Sequence, residues 1–190
     1  MNQWMMPIMI LLTTQSANAL RVNVQSTSNF SVAQTDKLNQ AVTILNQVLN
    51  TSDFKDRVLS FSYQGKTEFV QNNGMTNLEI YDLLMSGAEK YPTQTEANQL
   101  ADMQLSIYFP PWYKRFTKAV AFTNTDDPLL HIYNSYYNSS SIADLSETLI
   151  HEWTHKMGFD HDFNATAQRP YSVPYGIGGI INDLVTKFSK

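Results

Sequence analysis

Apolar side chains recur along this chain with two different periods, and each change of period marks the start of a new element. Residues 20–25 alternate apolar and polar, as a short strand with one buried face does. From 32 to 49, Val32, Leu38, Ala41, Val42, Leu45, Val48 and Leu49 return at helical spacing and predict an amphipathic helix. Residues 57–63 read as a strand, with Val58 and Leu59 near its start and Gly65 beyond its end. A helix is expected over 76–90, capped by Thr76 or Asn77 and burying Leu78, Tyr81, Leu84, Met85 and Ala88. Three strand-like runs follow, 103–109, 118–123 and 129–134, separated by Pro110-Pro111 and by Asp126-Asp127-Pro128. Further on, Ile142, Leu145, Leu149, Trp153 and Met157 fall on one arc at about 100° per residue, behind a Ser141/Asp144 capping box. A last helix is expected over 178–188.

This order of elements predicts an α+β (α/β-like) domain with a cleft between the sheet edge and the C-terminal segment. Composition narrows the setting. The first nineteen residues carry no charged side chain, hold an apolar run from Trp4 to Leu12 and end in Ala17-Asn18-Ala19, the form of a signal-peptidase site. That run is shorter than the ~20 residues a membrane span needs, so export is expected and stable membrane insertion is not. Cleavage would leave residues 20–190 as one domain. A net charge of −4 with no basic stripe argues against a nucleic-acid partner. An exported chain without cysteine fits the bacterial periplasm or the extracellular space.

The chemistry lies on the helix face opposite the apolar arc. His151-Glu152-Trp153-Thr154-His155-Lys156-Met157-Gly158-Phe159-Asp160-His161 reads HExxHxxGxxH. On a helix, positions i and i+4 share a face, so His151 and His155 point one imidazole each at a common centre. Gly158 can adopt the left-handed conformation that ends the helix and returns the chain, bringing His161 in as a third nitrogen donor. Three protein ligands leave a zinc ion one open vertex, the mark of a catalytic site. Zinc held by neutral imidazoles acidifies water towards a pKa of about 7, and Glu152 stands where it can accept the proton. Trp153 falls on the core-facing arc and is expected to pack.

This extended motif resembles that of the metzincin clan of zinc endopeptidases. The resemblance implies a single metzincin-like catalytic domain built on a twisted mixed sheet with backing helices, with substrate along the sheet's edge strand, a Met-containing turn beneath the metal, and a small C-terminal subdomain ending in a helix. No methionine follows Met157, however, and the nearest counterpart of the turn is Tyr171-Ser172-Val173-Pro174-Tyr175. There Val173 or Pro174 could supply the hydrophobic floor, and Tyr175 could reach the metal or a developing oxyanion. Asp162 resembles the residue that follows the third histidine in the adamalysin group, which is disulfide-rich as this chain is not. Residues 129–134 precede the metal helix where the clan's edge strand would stand, although an interior strand fits them equally. His131 reads as a packed or surface histidine rather than a fourth ligand.

Function is therefore expected to be that of a zinc metalloendopeptidase with one catalytic Zn²⁺ held by His151, His155 and His161, and with Glu152 and Tyr175 as catalytic groups on a peptide or protein substrate. Two alternatives stay open. An envelope hydrolase acting on peptidoglycan peptide or amide links could use Tyr133, Tyr136, Tyr137, Tyr171 and Tyr175 to stack on sugars, and a non-catalytic binding module could keep zinc for stability.

Overall fold

A computed structural model describes residues 19–111, 120–124 and 126–188. The expected leader therefore lies outside the described residues except for Ala19, as do positions 118 and 119 of the second strand-like run. Four strands build one mixed sheet: β1 (Arg21–Ser28), β2 (Leu100–Tyr108), β3 (Ala121–Asn124) and β4 (Asp127–Tyr133). Their order is β1-β2-β4-β3. The first three in that order run parallel, while β3 pairs antiparallel with β4 and ends the sheet. Six helices complete the α+β arrangement: α1 (Val32–Val48), α2 (Ser52–Ser60), α3 (Asn77–Ser86), α4 (Asn134–Ser139), α5 (Ile142–Lys156) and α6 (Val173–Phe188). Among the described residues no helix is long and apolar enough to cross a membrane.

One apolar core joins the layers. Leu38, Ala41 and Leu45 of α1, Met103, Leu105 and Ile107 of β2, Leu145, Leu149 and Trp153 of α5, and Ile177 and Ile181 of α6 are all buried in it. The period-3.6 and period-2 readings of β1, α1, β2 and α5 thus hold, and the Ser31, Thr76 and Ser141 N-caps each form a reciprocal capping box.

Three expectations need correction, and one placement left open is decided. Residues 57–60 are not a strand but the last turn of α2, because Thr51 caps the backbone of Phe54 at 3.1 Å and the i,i+4 pair Phe54 and Val58 is fully buried. The helix expected over 76–90 ends at Ser86, where Gly87 turns left-handed (φ 71°). A Cβ there would lie 2.5 Å from the Leu100 nitrogen. Its buried side is Ile80 and Leu84, with Leu78 turned to solvent. Residues 129–133 form an interior strand, since β4 lies between β2 and β3, and Asn134 already opens α4. Pro128 falls inside β4, where the register with β3 is irregular and no N–H is needed. Finally, the C-terminal helix begins at Val173 rather than at Gly178.

The motif helix is anchored by a buried ion pair. Lys156 Nζ lies 2.8 Å from Glu89 Oε2, with side chains only 7% and 4% exposed. Glu89 Oε1 also accepts from the Trp153 indole (2.7 Å) and from the backbone of Asp102 (3.0 Å). The Lys156 carbonyl in turn receives the N–H groups of Lys90 and Tyr91 at 2.8 and 2.9 Å, which satisfies an orphan acceptor at the helix end. Leaving one member of such a pair unpaired costs about 3–5 kcal/mol. Glu89→Ala should therefore lower the urea-unfolding free energy by about that amount, with part of the loss restored in Glu89→Ala/Lys156→Met.

Candidate metal centre

α5 carries His151 and His155 on one face, and its C-terminal turn sets the third histidine. Gly158 adopts φ 93°, its N–H bonds the His155 carbonyl at 2.9 Å, and Phe159 reaches back to the Thr154 carbonyl at 3.2 Å. The chain then doubles back to His161. The ligand nitrogens of His151, His155 and His161 all come within 4.8 Å of one another, and their ring centroids are 5.2, 5.1 and 4.9 Å apart.

Backbone carbonyls decide which nitrogen each ring offers. His155 Nδ1 donates to the Phe159 carbonyl (2.7 Å) and His161 Nδ1 to the Asp162 carbonyl (3.0 Å). The Pro174 carbonyl lies close enough to the His151 ring to favour a ring N–H on the side turned towards it. Unprotonated Nε2 atoms are thereby left facing inwards, and those of His151 and His161 approach to 3.2 Å. Zn–N bonds of 2.0–2.1 Å in tetrahedral geometry place two ligand nitrogens about 3.3 Å apart. The donor set and its spacing fit a zinc-like ion.

Burial tunes the titratable groups. It pushes the His151 pKa down to about 3, reinforced by the charges of His155, His161 and Arg169 and opposed by the Pro174 carbonyl. Burial also lowers that of His155. Neutral imidazoles are the form that ligates. The same desolvation raises Glu152 to about 7. The Thr123 hydroxyl on β3 is close enough to oppose that shift, yet it makes no well-formed hydrogen bond.

These groups line a cleft of about 1310 Å³ between α5, β3 and the start of α6. Tyr175 stands within it, its ring 4.5 Å from that of His151 and 4.8 Å from that of His161. The Tyr171-to-Tyr175 segment is not a free turn: Ser172, Val173 and Pro174 are buried, and α6 starts at Val173. Asp162 accepts from Gln71 (2.8 Å) and Thr166 through its side chain, and from His161 through its carbonyl. His131 stays outside the cluster, bonded to Asp127 at 3.1 Å and stacked on Phe122. The five candidate stacking tyrosines are dispersed. Tyr137 is core, Tyr171 packs on Tyr63, Tyr133 packs on Tyr108, and of the five only Tyr136 and Tyr175 line the cleft.

Three cleft residues escape a reading of the motif: Thr123, Glu147 and Arg169. Glu147 lies one turn before His151 on the same helix face, a signal present in the spacing. Arg169 becomes visible only when the fold sets it against Tyr175. No family model, curated protein or solved structure matches this chain. Function must be argued from the site itself.

The shifts define a pH test on zinc-free protein. His151 and His155 bind protons more weakly when folded, so their contribution to stability is lost as pH falls below about 6.5. Glu152 has the opposite sign: folded protein holds its proton up to about 7, which adds stability as pH falls from there towards the usual carboxylate range. Glu152→Gln should therefore show a steeper loss of urea stability between pH 6.5 and 4.5 than wild type. An equal slope in both proteins would contradict the Glu152 shift.

Proposed function

We propose that this chain is an exported zinc-dependent metalloendopeptidase in which Glu152 is the general base. One observation carries the reading: three imidazoles converge on a point beside a buried carboxyl that faces the same cleft. Among the described residues no further histidine or carboxylate joins the trio. A purely structural zinc site would close its fourth position and would have no use for Glu152.

When bound, zinc supplies the Lewis-acid charge that polarises a carbonyl and makes water acidic near neutral pH. A Glu152 carboxylate oxygen takes the proton of the water that attacks the scissile carbonyl carbon. As the C–N bond breaks, Glu152 returns that proton to the leaving amine nitrogen. Burial raises the proton affinity of Glu152 above that of an ordinary carboxylate, which favours its taking up the proton. The Tyr175 hydroxyl donates to the oxygen on which negative charge develops.

Edge position favours β3 as the strand that receives the peptide. It is antiparallel, pairs on one side only among the described residues, and lines the cleft through Ala121 to Asn124. An extended substrate can add to such an edge by main-chain hydrogen bonds. That arrangement agrees with what the metzincin resemblance implies. The dispersed tyrosines, by contrast, offer no sugar-stacking platform and give the peptidoglycan alternative no support.

Removal of a general base lowers turnover by about 10²–10⁴-fold. Glu152→Gln should hold one zinc per chain by plasma mass spectrometry, yet lose turnover within that range on casein and on a mixed peptide library. Turnover at the wild-type rate in this variant would refute the mechanism. Parallel digestion of purified sacculi separates protein from cell-wall substrates.

A further inference from the structure

One cation grips the phenol of Tyr175. Arg169 opens the single-turn 3₁₀ helix Arg169–Tyr171, donates from Nη2 to the Tyr175 oxygen, and lays its guanidinium 4.8 Å from the ring centroid. Its Nη1 donates to the Phe163 carbonyl at 3.2 Å. Its own carbonyl receives the hydroxyl and N–H of Ser172 at 2.9 and 3.1 Å. Arginine is thus tied to the backbone at both ends, and it holds the aromatic ring that touches His151 and His161.

A phenol oxygen that accepts from a guanidinium has committed a lone pair, so its own proton must point elsewhere. Among the described residues that proton meets no acceptor, and Tyr175 lines the cleft. We propose that Arg169 is a positioning residue for the hydrolytic reaction, fixing Tyr175 so that its O–H faces the cleft as donor to the substrate oxygen that becomes negative. This rests on the reading of the cleft as a hydrolytic metal centre. Donation from a cation also polarises the hydroxyl and strengthens it as a donor. Lysine cannot substitute, because a single ammonium does not present the planar fork that serves the Phe163 carbonyl, the Tyr175 oxygen and the ring face together.

The test compares zinc-loaded wild type with Tyr175→Phe, Arg169→Met, Arg169→Lys and Arg169→Met/Tyr175→Phe. Calorimetry measures the affinity of a peptide phosphonamidate, whose tetrahedral anion places an oxygen where the reaction develops charge. Metal content and thermal unfolding are recorded alongside. Tyr175→Phe and both Arg169 variants should each weaken the probe by about 10²-fold, the scale of a lost oxyanion donor. The double variant should be no weaker than Tyr175→Phe alone, the signature of residues that act as a unit. In turnover, kcat should fall with KM unchanged, a split that a general packing defect does not produce. Undiminished probe affinity in a folded, zinc-loaded Arg169→Lys overturns the proposal, as do additive losses in the double variant. If Arg169→Met fails to fold, Arg169→Lys and Tyr175→Phe carry the comparison. Wild type that binds zinc, and the probe through both residues, yet cleaves no peptide overturns the proposed function and the hydrolytic role with it, while the coupled probe affinities still show that Arg169 positions Tyr175 as a donor to an anion. A chain that takes up no zinc overturns both.

Discussion

The Nε2 atoms of His151 and His161 stand 3.2 Å apart on rings whose other nitrogens are turned to backbone carbonyls. That gap is the one two nitrogens on a tetrahedral zinc would span, so a single cation could lie between them. The surrounding structure serves to hold it. Glu89, buried against Lys156 and Trp153, fixes the far side of α5 to the sheet. On the near side, α6 approaches so closely that a Cβ on Gly178 would come within 3.2 Å of Glu147 Cγ and 3.6 Å of His151 Cβ. A Cβ on Gly176 would strike Phe69 and Phe61 at under 3 Å. This close approach is what carries the Pro174 carbonyl and the Tyr175 ring to His151.

A single physical cause sets the proton states of the site. Desolvation disfavours charge of either sign, so it strips the proton from His151 and His155 while retaining one on Glu152. Arg169 stands beside His151, and the Asp160 carboxyl lies 3.6 Å from His155 Nδ1. A dication held by the trio would meet His151 and His155 already in the ligand form and would draw Glu152 towards its carboxylate.

What the chain discloses unaided follows sequence distance. The metal trio lies within eleven consecutive residues, so helix periodicity and one glycine are enough to bring its members together. Caps at Thr76 and Ser141 are local too. The run at Val58-Leu59 was ambiguous because a short apolar stretch suits strand and helix alike, and the burial of Phe54 one turn earlier decides it. Strand order is a pairing problem between distant segments, and nothing in residues 129–134 says that β3 will cover their outer side. Glu89 lies 64 residues from its indole partner, and Arg169 is an ordinary loop cation until α6 presents Tyr175.

The left-handed Gly158 divides the donor trio unequally. Two imidazoles ride on a rod braced from both sides, while the third hangs from a short connector whose Asp160 is open to solvent. Loss of the ion would therefore leave the rod intact and free mainly the hanging arm. The tightness with which such a site would capture a metal would then depend on how much freedom that connector must surrender, and stiffening it would be the direct route to a chelator-resistant form.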